Sequence, residues 1–509
     1  MTSLIDIGKE KQLFLDEYLV ERITGARQVL HPPQKMGTDP IIPADSPWEG
    51  NSLVMRTVLY DSQDELYKMW YLASDITSQR DPGTGTITVG GNGDSRVCLA
   101  VSTDGRNWEK PDLGRVEFDG SRHNNIIPTE NGIADSKNIF LDTREPDPFR
   151  RLKAMSRFSD GDPELVARLE RDPSVYYEMD AKYVDALKQK GNWTSLGWNL
   201  YHSADGVDWE QYEGNPVFRD PPQARTWAGP ARFMGWDPIR QAYAVHMEAC
   251  QHARSPLMKR LIGRAESPDL VHWSRPETIL VPDEQDPPDT QFYFAAITAY
   301  HGLYIGLLTY FFTERGIIVP HLVFSRDGIH YDRRFREPFI PVGEADSYEG
   351  REIYADVPLV SGDELLIFYT GRIAGHGAGP FYEREFGADS VYAGIGMASL
   401  PLDGFCSIDA GDEEAEVVTR AFSFSGDRLQ LNLGTADPAL PLEVKVELLG
   451  PAHHHISGFT VRDADPIRAP GVRQTVSWNG VSDLSRFRGE PIKLHLRMRN
   501  AQLRAFQFV

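Results

Sequence analysis

One seven-residue pattern limits what this chain can fold into: Ser-x-Asp-[Gly/Leu]-x-x-[Trp/Tyr]. It runs from Ser102 to Trp108, Ser203 to Trp209, Ser267 to Trp273 and Ser325 to Tyr331. The residue types explain the local structure. The Asp side chain accepts backbone N–H groups ahead of it and fixes a tight turn. Gly permits a positive φ, and the aromatic packs under the hairpin. One such turn is ordinary, but the same internal spacing repeated along a chain means one supersecondary unit used again and again.

The flanking residues define that unit. Ahead of each turn lies an apolar strand, and ahead of that another. The second strands align as Tyr67–Ala73, Arg151–Arg157, Ala242–Glu248, Leu303–Thr309 and Leu365–Gly371. Each follows a first strand that ends in a short polar turn, at Tyr60-Asp61, Leu141-Asp142, Trp236-Asp237, Tyr300-His301 and Ser361-Gly362. Five units of about four short strands are predicted, the composition of propeller blades. The interval between Ser102 and Ser203 is longer than the later ones, and its excess, from about Asp160 to Gly191, has helical periodicity and is predicted to be a helical insertion. The fifth unit lacks the Asp turn, and its outer strand is expected from the N-terminal stretch beginning at Gln12.

The pattern changes after an acidic linker at Asp412–Glu416. Alternating strands follow, among them Val417–Phe424, Leu429–Leu433, Leu442–Leu449 and a long one over Ile492–Phe508, at the spacing of a β-sandwich. His453-His454-His455 is read as a surface turn after Pro451 and not as a metal tract.

Charge and cysteine content exclude some classes. The net charge of −21 over 509 residues argues against nucleic acid and membranes as partners. Cys98, Cys250 and Cys406 lie far apart without metal-ligand spacing, which suits a reducing compartment. The first ten residues carry no basic or apolar signal region, and no apolar run approaches a membrane-spanning length. A cytoplasmic protein is expected. No nucleotide-binding loop, zinc motif or Ser-His-Asp signature stands out, so no cofactor and no metal ligands are predicted.

The Ser267–Trp273 hairpin and the five-unit count resemble the five-bladed β-propeller glycoside hydrolases of families 32 and 43, the invertase/levanase and arabinanase/β-xylosidase types, as a divergent relative. The resemblance spans about residues 10 to 405. It implies an all-β fold, with a catalytic five-bladed β-propeller over residues 1–411 and a β-sandwich over 412–509 like that found behind many such propellers. It also implies a glycoside hydrolase acting on a small oligosaccharide or glycoside, a furanoside among the options, through carboxylates at the mouth of the central channel. Ala134-Asp135-Ser136-Lys137 falls in the register of the invertase-like Arg-Asp-Pro-Lys, so Asp135 is the first catalytic candidate, binding substrate hydroxyls and stabilising the transition state.

The first-blade and third-blade motifs of the invertase-like enzymes are absent. Glu49, in Pro47-Trp48-Glu49-Gly50, is the acid near the first, and Arg225-Thr226-Trp227 replaces the second, with Glu248 at the end of the next strand. Glycoside cleavage needs a protonated and an ionised carboxylate on either side of the bond. Glu49, Glu248, Asp289 and Glu352 are the candidates to pair with Asp135. Trp48, Lys137, Arg225, Trp227, Tyr293, Arg372 and His376 are the predicted substrate-binding residues, by stacking on the sugar ring and by charged hydrogen bonds to hydroxyls. Two alternatives use the same fold: a glycoside phosphorylase with one essential carboxylate and a phosphate cradle of Arg225, Arg315, Arg372 and His376, or a propeller that binds carbohydrate without catalysis.

Overall fold

The structure, a computed structural model, describes residues 4–80, 87–91, 95–129, 138–161, 194–219, 231–251, 259–376 and 391–509. It is all-β, and among the described residues there is no α-helix, only short 3-10 turns. Among the described residues no helix is long and apolar enough to cross a membrane. The chain divides into two compact units that do not follow chain order. The larger holds Lys35–Leu359 and Leu366–Ala398; the smaller holds Met1–Gln34, Val360–Leu365 and Ser399–Val509.

The larger unit is a succession of antiparallel groups. The first is β1 (Ser52–Asp61), β2 (Leu66–Ser74) and β3 (Arg96–Ser102). The second is β4 (Ile139–Leu141), β5 (Leu152–Gly161) and β6 (Thr194–Ser203). The third is β7 (Ala231–Asp237), β8 (Ala242–Gln251) and β9 (Lys259–Ser267). The fourth is β10 (Thr290–Tyr300), β11 (Leu303–Phe312) and β12 (Ile317–Ser325). The fifth joins β13 (Glu352–Ala355), β14 (Glu364–Arg372) and β15 (Ala393–Pro401). The groups neighbour one another in a cycle. β4 lies against β1, β7 against β4, and β10 against β7. Single parallel pairings join the rest: Ile318 with Glu352, and Ala393 with Ser52.

The repeated turns form as their residues dictate. In each, the Asp carboxylate accepts two backbone N–H groups ahead of it: Asp104 from Arg106 and Asn107, Asp205 from Val207 and Asp208, Asp269 from Val271 and His272, Asp327 from Ile329 and His330. Gly105, Gly206 and Gly328 have positive φ, and Leu270 adopts the same conformation at φ 68°. The turns also join groups. Trp108 packs edge-on to Phe368 of β14, at 5.7 Å between ring centroids. Trp70 of β2 donates its indole N–H to Gly206 O at 2.8 Å. Buried Asp residues at the ends of first strands add polar latches: Asp61 to Arg151 and Lys68, Asp142 to the Tyr243 hydroxyl, Asp237 to the Tyr304 hydroxyl.

The smaller unit contains two mainly antiparallel sheets over one apolar core, with side chains such as Leu431, Leu433 and Phe506 from one and Val417, Val446 and Leu496 from the other. Two expectations change here. The stretch Gln12–Leu13 pairs with Ala501–Phe508 in this unit and does not supply a strand to the fifth group. The single long strand expected over Ile492–Phe508 is two strands, Lys493–Arg499 and Ala501–Phe508, in different sheets. Asn500 between them turns the chain at φ 47°, and its amide donates to Asp437 O and Leu440 O at 2.8 and 2.7 Å. Asn tolerates the left-handed region and bonds locally, so it can break a strand that alternation alone would carry through. The helical insertion expected from about Asp160 falls outside the described residues apart from its first two, Asp160 and Gly161, which belong to β5. His453 bonds Lys493 and pairs with Glu21, and His455 bonds Glu447.

Candidate active site

A cavity of about 140 Å³ opens among the first strands of the larger unit. It is lined by residues of β1, β7, β10, β13 and β14. Strand β13 explains much of it. Side chains two apart share one face of a strand, and Glu352, Tyr354 and, just past the strand, Asp356 follow that period. Glu352 is fully buried. Its Oε2 accepts the Tyr354 hydroxyl at 2.9 Å and Arg372 Nη1 at 3.2 Å. Its Oε1 has no hydrogen-bond partner among the described residues, and His376 Nδ1 stands 3.8 Å away. Burial raises the Glu352 carboxyl above the ordinary carboxylate range, and Arg372 and Tyr354 only partly oppose the shift.

His376 is held between aromatic edges, 4.8 Å from Tyr293 and 5.1 Å from Phe311 between ring centroids. Burial, then Arg260 and Arg372, lowers its pKa to about 4, so near neutral pH it faces Glu352 as an uncharged imidazole. Tyr354 sits beside Tyr293 at 6.0 Å and under the Arg372 guanidinium at 5.1 Å. Burial and then Glu352 push its hydroxyl well above the usual phenol value, so it remains a donor.

The second carboxylate is Glu248, buried near the end of β8 and 3.3 Å from Arg260 Nε. Arg260 lies over the rings of Tyr293 and Phe311, at 5.5 and 5.8 Å. Tyr293 is thus within electrostatic reach of both acids. Burial first, then Glu248 and Glu352, moves its hydroxyl up to about 12 against the opposing pull of Arg260 and Arg372. On the other side of the cavity, Arg232 makes a bidentate pair with Asp356, at 2.8 and 3.0 Å.

Two β-bulges shape the lining. The register of β1 on β2 slips between Met55 and Thr57, and that of β10 on β11 between Phe292 and Phe294. The extra residues are Arg56 and Tyr293, and both line the cavity. Bulges re-aim a side chain against the alternation of its strand. Met55 N donates to Thr370 Oγ1 at 3.0 Å, tying the first bulge to the strand that carries Arg372.

Among the sequence candidates, the structure brings together Glu248, Tyr293, Glu352, Arg372 and His376. It places others apart. Glu49 is fully buried, where it accepts the Tyr71 hydroxyl at 2.6 Å, Lys110 Nζ at 2.7 Å and the backbone N–H groups of Asp45 and Ser46 at 3.1 Å. Trp48 donates its indole N–H to Asn125 and packs edge-on to Phe118. These partners make both residues parts of the loop that leads into β1. Asp289 sits ahead of β10 with Arg315 at 3.5 Å. Asp135, Lys137, Arg225 and Trp227 lie outside the described residues. Sequence reasoning passed over Arg56, Arg232, Arg260, Phe311, Tyr354, Asp356 and Thr370. A period of two from Glu352 and from Arg372 would have found Tyr354, Asp356 and Thr370; no local signal marks the arginines.

No family model matches the chain, and no curated protein matches it. Among solved structures it is similar to a glycosyl hydrolase from Bacteroides ovatus, at 12% identity over 76% of this chain and 96% of that one, with a TM-score of 0.42. It is also similar to a β-1,2-mannobiose phosphorylase from Listeria innocua, at 10% identity over 73% and 97% of the two chains, with a TM-score of 0.43.

Proposed function

We propose that this chain is a glycoside hydrolase of small oligosaccharides or glycosides. In this reading the five strand groups of the larger unit are the blades of a β-propeller, and the two sheets of the smaller unit are a β-sandwich. The observation that carries the function is two buried carboxylates, Glu352 and Glu248, each beside an arginine and both within electrostatic reach of Tyr293, which lines the cavity. Glu352 is buried and raised, with one oxygen bonded by Tyr354 and Arg372. Glu248 is paired with Arg260. Environments that push two carboxylates apart assign the acid and its ionised partner. Glu352, with its raised carboxyl, is the general acid that protonates the leaving oxygen, and Glu248, beside Arg260, is the second carboxylate across the bond. Tyr293 supplies the aromatic face for the sugar ring, and the neutral His376 borders the proton donor. Asp135 keeps its sequence-based role of binding substrate hydroxyls, with Lys137 beside it.

A panel of pyranosides and furanosides, with and without inorganic phosphate, tests this reading. Glu352→Gln is expected to lower kcat/KM about 10²- to 10⁴-fold, with a smaller loss on aryl glycosides whose leaving group needs no proton. Glu248→Gln is expected to lose activity on both kinds of leaving group. Turnover that requires phosphate would make the enzyme a phosphorylase. Full activity in both variants, or no turnover of any glycoside, would end the proposal.

A further inference from the structure

We infer that Glu352 and His376 together hold the leaving oxygen of the substrate, the carboxyl giving it a proton and the imidazole a hydrogen bond from Nδ1. The inference rests on the glycosidase reading and adds a second group at the scissile bond. Glu352 Oε2 already accepts two donors, the Tyr354 hydroxyl at 2.9 Å and Arg372 Nη1 at 3.2 Å. That occupancy makes Oε2 the carbonyl-like oxygen, so a proton on this carboxyl belongs on Oε1. Oε1 is buried and has no hydrogen-bond partner among the described residues. Buried polar oxygens are nearly always paired, and an open one calls for a partner from outside the protein.

His376 Nδ1 stands 3.8 Å from Oε1, too far for a hydrogen bond between the two. One oxygen placed about 2.8 Å from each atom spans that gap. The residues around it belong to the cavity. Tyr354 and Arg372, which bond Glu352, both line it, and so does Tyr293, whose ring packs on His376 at 4.8 Å. The His376 side chain is 30% exposed against 0% for Glu352, so it is the part of the pair that an entering substrate meets first. Burial, Arg260 and Arg372 keep the ring uncharged near neutral pH. A neutral imidazole donates one N–H without competing with Glu352 as the proton source, and it stabilises negative charge growing on an oxygen. As the glycosidic bond breaks, the Glu352 Oε1–H bond breaks with it. The proton moves to the leaving oxygen, Oε1 keeps the electron pair, and the Nδ1–H bond of His376 stays intact.

Two glycosides of one sugar test this: an alkyl glycoside, and a dinitrophenyl glycoside whose leaving group needs no proton. His376→Leu is expected to lower kcat/KM about 10²-fold on the alkyl glycoside and no more than about threefold on the aryl one. His376→Asn, whose amide N–H takes the place of Nδ1–H, is expected to recover about tenfold or more of that loss. A merely structural histidine would cost both substrates alike and gain nothing from Asn. Equal losses on the two glycosides, no loss, or His376→Asn no better than His376→Leu would overturn the inference. Should either variant fail to fold, nitrogen NMR of the imidazole in the unaltered full-length protein decides. Hydrogen on Nδ1 near neutral pH is expected, and a bare Nδ1 would overturn the inference. Glu352→Gln separates the two readings. Full activity there, or no turnover of any glycoside, would defeat the glycosidase reading. Leaving-group dependence in Glu352→Gln without any in His376→Leu would defeat this inference alone.

Discussion

Glu352 joins stability to the proposed chemistry in a single side chain. Its raised carboxyl means that the folded state holds the proton more tightly than the unfolded chain does. The linkage therefore runs opposite to that of a salt-bridged acid. The contribution to stability is full below the unfolded carboxylate value, about 4.3, and is lost as pH rises through the folded one. Glu352→Gln keeps the side-chain shape and removes the titration. Melting temperatures of the two proteins should diverge in favour of the variant as pH rises above about 4, even as the proposed activity falls. A difference that stays flat, or turns against the variant as pH rises, would contradict the raised pKa. In the proposed reaction the same proton sets the alkaline limb of kcat/KM, which should fall above the ordinary carboxylate range. His376, with a pKa of about 4, is already neutral through that window and adds nothing to the limb.

At the scale of elements, the Asp turns act as wedges between strand groups as well as hairpin closures. The turn after β6 seats Gly206 on Trp70 of β2. A Cβ built at Gly206 would lie 2.4 Å from Trp70 Cζ2, and the residue has φ 85°. Trp70 and Trp209 both donate indole N–H groups to Gly206 O, at 2.8 and 3.0 Å. Gly206→Ala thus combines a backbone penalty of about 1 kcal/mol with about 1–3 kcal/mol of overpacking. Denaturant unfolding should show a loss of about 2–4 kcal/mol. A loss below 1 kcal/mol would mean that the turn is not wedged against Trp70. Gly8, also at positive φ but with open space around it, is the control for the backbone effect alone.

At the scale of the whole molecule, the smaller compact unit is assembled from both ends of the chain. Val20–Thr24 pairs with Ala415–Thr419, and Ala26–Leu30 with Cys406–Ala410. Phe14, 2% exposed, packs on Phe506 at 5.8 Å. A chain ending at residue 411, the boundary drawn from the composition shift, would lack the strands Ala415–Thr419 and Ala501–Phe508 and uncover Leu13, Phe14, Leu19 and Val20. Unpaired edges with apolar faces promote association. The truncated chain should be recovered mainly as aggregate, read by soluble yield and size-exclusion chromatography. A soluble, monodisperse 1–411 protein would show that the N-terminal strands do not need their partners.

Local chemistry explains what could be read from the sequence alone. The Asp turns, the apolar strands before them and the polar strand ends depend on neighbours a few residues away. The expected second strands therefore correspond to β2, β5, β8, β11 and β14, within a residue or two at their starts. The grouping of Glu248, Tyr293, Glu352, Arg372 and His376 was within reach too, because a repeated unit returns equivalent strand ends to one place. Bulges at Arg56 and Tyr293, the left-handed break at Asn500 and the pairing of Gln12–Leu13 with Ala501–Phe508 were not legible. The bulges depend on register against the neighbouring strand, where a shift of one residue changes which face a side chain meets, and the other two depend on contacts with chain 60 or more residues away. Burial made the same division among the acids. Glu49 and Glu352 are both glutamates beside a first strand, and both are removed from water. Tertiary structure alone surrounded one with donors to both oxygens and left the other with an unbonded oxygen beside a cavity.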